Sequence, residues 1–142
     1  MKYLAVFFTL ILAGCGSESE SDNSVSLADI VGVWDSSKVS GQGTNEVYFI
    51  IEEDGEMRTF DYDGDSAGNG NNCYNTGEGV QLTDQGDGNF LFVNSDSDGF
   101  VAQATLSGDT LVLSKVDNGE TETSVKTTRI ESDFTPLCNE LR

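Results

Sequence analysis

The chain has 142 residues, no histidine, and 25 Asp and Glu against 7 Lys and Arg, which gives a formal net charge of −18 at pH 7. Phosphate backbones are bound by clusters of Lys and Arg, so this composition excludes a nucleic-acid partner. Without histidine the chain lacks the commonest general base and transition-metal ligand, and no Ser-His-Asp or Cys-His arrangement can form. We therefore predict a protein that is not an enzyme and needs no cofactor. A hydrolase that uses two carboxylates is the alternative, but the sequence nominates no pair of acids.

Residues 1–14 have the pattern of an export signal. Lys2 gives one positive charge, residues 4–13 are almost wholly apolar, and Ala13 and Gly14 are small. A charged start, a short apolar run and small residues at the cleavage position are typical of a secretory signal peptide. The apolar run of about ten residues is too short for a membrane span, which needs roughly 20.

The segment Leu12-Ala13-Gly14-Cys15 resembles the lipobox of bacterial lipoproteins. The resemblance implies that the Cys15 thiol takes a diacylglycerol, that cleavage occurs just before Cys15, and that the new N-terminus is acylated. Gly16 stands where that family uses aspartate for retention in the inner membrane, which implies the outer membrane. The predicted partner is thus a membrane, bound through a lipid anchor. An ordinary signal peptide that ends at a cysteine is the alternative.

The residues after the signal divide into a tether and a domain. Residues 16–24 contain no hydrophobic side chain, so we predict that residues 15–24 form a flexible tether behind the lipidated cysteine. Residues 25–142 are predicted to form one folded domain. Loss of Lys2 would leave 6 Lys and Arg against 25 Asp and Glu. We interpret this acidic surface as a means of solubility in salty surroundings, where screening weakens the repulsion among carboxylates.

Three cysteines are present, at positions 15, 73 and 138. If Cys15 carries the lipid, Cys73 and Cys138 remain as an even pair in an exported, oxidising setting, which predicts a disulfide. It would join "GNNCYN" to "TPLCNELR" and stabilise the fold by about 4 kcal/mol. The alternative is two free thiols that are reactive or bind a metal.

The sequence of the domain predicts short strands joined by tight turns. Runs rich in β-branched and aromatic residues alternate with Gly, Asp and Asn, and only Leu27 to Ile30, capped by Ser26, predict a helical turn. The predicted strands are residues 32–38, 46–52, 56–62, 79–83, 89–94, 100–106, 110–116 and 121–130. About eight sequential antiparallel strands predict an all-β, up-and-down barrel, with a β-sandwich as the alternative.

Turn chemistry predicts the pairing within each hairpin. A two-residue turn at Asp54-Gly55 would pair Phe49 with Phe60. One face would then be core and the other would face water. The predicted core face is Val47, Phe49, Ile51, Phe60 and Tyr62; the predicted solvent face is Glu52, Met57, Thr59 and Asp61.

Two further turns follow in the C-terminal half. A turn at Gly108-Asp109 would pair Leu106 with Leu111 and Ala104 with Leu113. After residues 110–116, a three-residue loop with Gly119 in the left-handed conformation would place Thr121, Thr123 and Val125 on the face of Leu111 and Leu113. A two-residue turn would place Lys126 there instead, and we favour the three-residue loop.

Gly32-Val33-Trp34 and the residues before it resemble the opening of lipocalin-like domains, where Gly-x-Trp starts the first barrel strand. The resemblance implies that Trp34 closes one end of the barrel and that an arginine near the end of the last strand, here Arg129, packs over the indole. Both roles are structural. The chain resembles the small lipocalin-like domains of bacterial lipoproteins more than it resembles typical lipocalins, which are longer.

Carboxylates spaced two apart occupy residues 61–72. An EF-hand loop needs glycine at its sixth position and glutamate at its twelfth, where this chain has Ser66 and Asn72, so that motif fails. Asp63, Asp65 and Asn69 are the remaining weak candidates for calcium. A solvated turn is the preferred interpretation, and the prediction is that no metal is bound.

The predicted function follows from these points. We expect a membrane-anchored lipoprotein whose lipocalin-like domain binds a small hydrophobic ligand or an envelope protein. The alternative is a purely structural envelope lipoprotein whose barrel is filled by its own side chains, for which Phe49, Phe60, Tyr62, Phe90, Phe92 and Phe100 are large enough. An apolar cavity of a few hundred Å³, on the order of known ligand sites, would favour binding.

Overall fold

The computed structural model describes residues 24–37, 46–64 and 71–141. Within these residues the chain is almost entirely β-structure. The elements are α1 (Leu27–Ile30), β1 (Gly32–Asp35), β2 (Val47–Ile51), β3 (Glu56–Asp63), β4 (Cys73–Thr76), β5 (Val80–Gly86), β6 (Asn89–Val93), β7 (Gly99–Ser107), β8 (Thr110–Lys115) and β9 (Thr121–Lys126), followed by 3-10 turns at Glu131–Asp133 and Cys138–Leu141. No helix in the described ranges is long and apolar enough to cross a bilayer.

Eight strands form a closed antiparallel barrel. Around the ring each strand pairs with the next in the order β1, β2, β3, β5, β6, β7, β8 and β9, and β9 pairs with β1, which joins the first strand to the last. The predicted all-β, up-and-down barrel is therefore confirmed, and the sandwich alternative is wrong because the β1–β9 pairing closes the sheet. β4 was not predicted; it pairs with the second half of β3 and lies outside the ring.

The N-terminal helical turn is confirmed with its cap. The Asp29 carboxylate accepts hydrogen bonds from the Ser26 backbone N–H at 2.9 Å and from the Ser26 hydroxyl at 2.6 Å. This capping box holds α1 at one end of the barrel, where Ile30 is buried in the core. We call this end of the barrel the helix end.

The predicted β7–β8 hairpin is confirmed. Leu106 pairs with Leu111 and Ala104 with Leu113, as the two-residue turn at Gly108-Asp109 requires. Gly108 has φ 57°, a left-handed conformation that glycine adopts without steric cost.

The predicted β2–β3 register is wrong by one residue. Phe49 pairs with Thr59 and Tyr48 with Phe60. The connecting turn has three residues, because the Glu52 N–H donates to the Glu56 carbonyl at 2.8 Å and Gly55 adopts φ 86°. A shift of one residue turns every side chain of β3 to the other face. Met57 and Thr59 therefore line the interior, while Phe60 lies outside the barrel.

The predicted β8–β9 register is also wrong. Leu111 pairs with Ser124 and Leu113 with Glu122, because a four-residue loop joins Lys115 to Glu120 instead of the three-residue loop we favoured. Even-numbered residues of β9 consequently share the interior face with the two leucines. The strand ends at Lys126, four residues before the predicted limit.

Two apolar clusters stabilise the molecule, one on each face of the sheet. The inner cluster fills the helix end and consists of Ile30, Trp34, Phe49, Ile51, Leu82, Phe90, Phe92, Ala102, Ala104 and Leu111. The outer cluster covers the outside of β1 to β4 and consists of Val33, Tyr48, Ile50, Phe60, Tyr74 and Phe134. β2 is thus buried on both faces. The predicted core positions of Phe49 and Ile51 are confirmed, whereas the predicted division of β3 into a core face and a solvent face is wrong.

The segment that follows β9 covers the outer cluster. Phe134 is 1% exposed, and its ring lies 4.6 Å from Phe60 and 5.1 Å from Tyr48, measured between centroids. The sulfur atoms of Cys73 and Cys138 are 1.99 Å apart, which confirms the predicted disulfide and excludes two free thiols. The disulfide therefore ties this segment to β4.

Candidate ligand-binding site

A cavity lies inside the barrel at the end opposite α1, where β2 begins and β8 finishes. We call this the cavity end. The cavity has a volume of about 170 Å³ and is lined by Val47, Phe49, Met57, Thr59, Phe92, Phe100, Ala102, Leu113, Lys115, Glu120, Thr121 and Glu122. A cavity of about 150 Å³ in a protein core accommodates benzene, whereas sites for drug-sized ligands start near 300 Å³. The volume is therefore smaller than the few hundred Å³ expected for a binder, but sufficient for one small molecule.

The wall of the cavity is apolar because the strands alternate inward and outward. Phe92 and Phe100 are paired across β6 and β7, and their rings stack with centroids 4.9 Å apart and an angle of 4°. Ala102, which is 1% exposed, gives a small side chain beside them. Three of the six aromatic residues predicted to fill the barrel, Phe49, Phe90 and Phe92, are buried inside it.

A lysine and two glutamates give the cavity its charge. Lys115 Nζ lies 2.7 Å from Glu120 Oε2 and 5.0 Å from the centroid of the Phe100 ring. The hydrogen bond with Glu120 raises the pKa of Lys115, and the same bond lowers the pKa of Glu120. This pair is therefore fully ionised at neutral pH.

Two buried serines position the second glutamate. The Ser36 hydroxyl donates to Glu122 Oε1 at 2.9 Å and lies 2.8 Å from the Ser124 hydroxyl. Because Ser36 has a single hydroxyl proton and gives it to Glu122, Ser124 donates to Ser36. The two serines are 2% and 1% exposed. The chain of hydrogen bonds from Ser124 through Ser36 to Glu122 therefore lies inside the barrel and gives each buried hydroxyl a partner.

The Gly-x-Trp residues occupy the helix end, with one correction to their predicted partner. Trp34 is fully buried and its indole N–H donates to the Ile30 carbonyl at 2.8 Å. The cation over the indole is Lys126, at 5.4 Å from Nζ to the ring centroid. A Cβ on Gly32 would lie 3.1 Å from Lys126 Cε, so this glycine leaves room for the lysine stem.

The predicted packing of Arg129 on Trp34 is wrong. The Arg129 guanidinium lies 4.6 Å from the Tyr48 ring centroid and donates to the Tyr74 hydroxyl at 3.2 Å, both on the outside of the sheet. The reason is that β9 ends at Lys126, so the chain has already left the sheet when it reaches Arg129. Lys126 and Arg129 therefore both have structural roles.

Of the three weak calcium candidates, only Asp63 lies among the described residues. Asp63 ends β3, and its carboxylate accepts a hydrogen bond from the Asn71 side chain at 3.1 Å. Asp65 and Asn69 lie outside the described residues, as does Cys15. The sulfur atoms of Cys73 and Cys138 lie close to the Asp63 carboxylate, but a disulfide offers no thiolate to a metal.

The comparisons with known proteins identify no relative: no protein-family model, curated protein or solved structure matches this chain.

Sequence reasoning missed the charged residues of the cavity, Lys115, Glu120 and Glu122, and the two serines behind Glu122, Ser36 and Ser124. The inward orientation of Glu122 and Ser124 follows from the β8–β9 register, which was predicted wrongly. One signal was available: the stretch Thr121-Glu122-Thr123-Ser124 faces the apolar strand β8 without a large apolar residue of its own. A strand of this kind beside Leu111 and Leu113 indicates a polar feature inside the barrel.

Proposed function

We propose that this protein is a lipid-anchored lipoprotein whose barrel binds a small, mostly apolar molecule at the cavity end. The observation that carries the binding function is the apolar cavity walled by Phe49, Phe92 and Phe100. The cavity is partly open, because Phe100, Glu120 and Glu122 in its lining are exposed, so a small molecule can reach the apolar wall. We assign binding instead of catalysis because the chain has no histidine.

The anchor is supported by the sequence Leu12-Ala13-Gly14-Cys15 and by the polar segment that follows it. The Cys73–Cys138 disulfide supports export, since such bonds persist in oxidising compartments. Gly16 after the cysteine favours the outer membrane. A residue with two or three acyl chains stays bound to a bilayer, because one chain alone gives only marginal binding.

Fractionation and intact mass test the anchor. The wild-type protein should sediment with membranes and weigh more than residues 15–142 by the mass of the attached lipid. The Cys15→Ala variant should lack that added mass. A wild-type product that weighs only as much as its amino acids and washes freely from the envelope would overturn the anchor.

Thermal unfolding with toluene as the probe tests the cavity. A ligand that binds only the folded state raises its stability. Toluene should therefore raise the melting temperature of the wild-type protein. Ala102→Leu, which fills the cavity wall, should remove this effect, whereas Ala28→Leu on the exposed surface of α1 should retain it.

Overpacking at position 102 could itself destabilise the barrel, so Val47→Phe gives a second filling variant at the cavity end. The circular dichroism spectrum of each variant reports whether it has folded. An equal response to toluene in wild type and folded filled variants would contradict binding inside the barrel.

A purely structural envelope lipoprotein is the second candidate function. It is favoured by the dense packing of the helix end, where Trp34, Phe90 and Leu111 are fully buried. Under this candidate toluene has no effect on wild-type unfolding, and protein extracted from the envelope shows no bound small molecule by native mass spectrometry.

A further inference from the structure

The charges that line the cavity differ in how far they are already neutralised. The Lys115 ammonium contacts the Glu120 carboxylate at 2.7 Å and also lies over the Phe100 ring. The positive charge of Lys115 is therefore neutralised mainly by Glu120, and the pair contributes no net charge to the cavity.

Within the described ranges Glu122 has no direct ion pair, although it interacts electrostatically at longer range with Lys115, whose ammonium is already bonded to Glu120. The Oε1 atom of Glu122 accepts a hydrogen bond from Ser36, and among the described residues no Lys or Arg lies within ion-pair distance of it. The hydrogen bond fixes the carboxylate but does not compensate its charge. Glu122 pairs with Leu113 across β8 and β9, so it shares the interior face with the apolar wall.

This arrangement specifies the charge of the ligand. We infer, on the basis of the proposed binding function, that the cavity selects a small amine, with an apolar body about the size of a substituted benzene and an ammonium group that pairs with Glu122. An ammonium has three donors and forms charge-assisted hydrogen bonds with a carboxylate. A carboxylate ligand would instead be repelled by the negative charge of Glu122.

The charge of the whole chain acts in the same direction. With 25 acidic and 7 basic residues, the protein attracts cations to its surface and repels anions. Long-range attraction does not select one cation, so the fixed position of Glu122 beside the apolar wall gives the specificity.

Three probes of similar size and different charge test this inference: benzylamine, benzyl alcohol and benzoate. Their binding is measured by calorimetry at pH 7 on the mature lipidated protein in lipid nanodiscs, with empty nanodiscs as the blank for partitioning into lipid. Benzylamine should bind roughly five to ten times more tightly than benzyl alcohol, as expected for one partly exposed, charge-assisted pair. Benzoate should bind most weakly.

Glu122→Gln should remove the preference for benzylamine and leave the affinity for benzyl alcohol unchanged, because the amide still accepts the Ser36 hydrogen bond. Glu53→Gln is the matched control, since it makes the same change of charge at an exposed position in the β2–β3 turn, far from the cavity. Added NaCl gives a second readout on the wild type: it should weaken benzylamine and not benzyl alcohol.

The outcomes separate the two proposals. If none of the three probes binds, the inference and the proposed binding function both fail. If benzyl alcohol binds but benzylamine has no advantage, or if Glu122→Gln retains the advantage, only the inference fails. Tightest binding by benzoate would also overturn it and would assign the ligand's charge to Lys115.

Discussion

Gly55 controls which side chains of β3 point into the barrel. It ends the three-residue turn between β2 and β3 with φ 86°, a conformation that residues with a Cβ rarely adopt. A Cβ on this glycine would also lie only 2.4 Å from the carbonyl oxygen of Leu82. The position therefore requires glycine for two independent reasons, backbone conformation and close approach of β5.

At Gly119 only the first of these two requirements, the backbone conformation, applies. It has φ 71° in the β8–β9 loop, and among the described residues, apart from its own chain neighbours, no heavy atom lies within 4 Å of a Cβ built on it. We predict that Gly119→Ala lowers the free energy of unfolding by about 1–2 kcal/mol, the cost of a left-handed backbone. Gly55→Ala should lower it by at least twice as much, because the clash with Leu82 adds to that cost.

Urea unfolding followed by the fluorescence of Trp34, the single tryptophan, measures both variants. Equal losses of stability would show that the contact with Leu82 relaxes without cost.

The two hairpins show how far turn residues predict a register. Gly108-Asp109 gave the correct pairing because β7 and β8 place small and apolar residues on one face. Asp54-Gly55 gave the wrong pairing because β2 is apolar on both faces, with Tyr48 and Ile50 alternating with Phe49 and Ile51. The alternation of apolar and polar residues then does not distinguish the two registers, and the length of the turn determines which one forms.

The irregular segment after β9 covers the outer face of β2 and β3. It carries Phe134 onto the outer cluster and is joined to β4 by the Cys73–Cys138 disulfide. Sequence reasoning predicted the bond from the number of cysteines. It did not predict the outer cluster, because nothing in the local pattern around Phe134 indicates which surface it covers.

Removing the disulfide should cost most of the stability that this segment provides. The loop between the cysteines spans 65 residues, for which the chain-entropy relation gives about 4 kcal/mol. We predict a loss of this size in the free energy of unfolding for the double variant Cys73→Ala/Cys138→Ala, measured by urea unfolding. Wild-type protein treated with a reductant is the control and should lose the same amount. A loss below about 1 kcal/mol would contradict the constraint.

An ion pair between β3 and this segment makes its attachment depend on pH. The Arg58 guanidinium donates to the Glu131 carboxylate, and this hydrogen bond lowers the pKa of Glu131 below its usual 4.5. A lowered pKa in the folded state contributes stability above the unfolded pKa and loses it as pH falls through the folded pKa.

Glu131→Gln should therefore be less stable than the wild type at pH 7, and the difference should shrink as pH falls below 4.5. Both side chains are partly exposed, so the difference at pH 7 should be at most about 1 kcal/mol. Thermal unfolding between pH 3 and 7 measures it, with Glu53→Gln as the control for loss of one exposed charge. A difference that grows at low pH would contradict the assigned pair.

At the scale of the whole molecule, the order of the strands was the most predictable property. Short strands joined by tight turns can pair sequentially without long crossovers, which leads to a closed meander. β4 escaped prediction because Cys73-Tyr74-Asn75-Thr76 is short and half polar. The cavity escaped prediction because its existence depends on how completely Phe49, Phe92 and Leu113 fill one end, which sequence alone does not specify.

The uneven charge of the molecule predicts its response to salt. The many carboxylates repel each other in the folded state, and mobile ions screen that repulsion. We predict that raising NaCl from about 0.02 M to about 0.5 M increases the melting temperature at pH 7. Near the isoelectric point of about 4.1 the same change should have little effect, because the net charge is close to zero. A fall in melting temperature at pH 7 would contradict dominant self-repulsion.

The link between Cys73 and Cys138 also dictates an order of assembly. Its second sulfur is synthesised 65 residues after the first, behind every strand of the ring. Hairpins can pair while the chain is still emerging, but the aromatic outer side of β2 and β3 stays bare until Phe134 arrives. A chaperone that binds the newly made chain would therefore find an exposed aromatic surface on the outside of a nearly complete barrel. This surface would be covered last, when Phe134 packs on it and the disulfide forms.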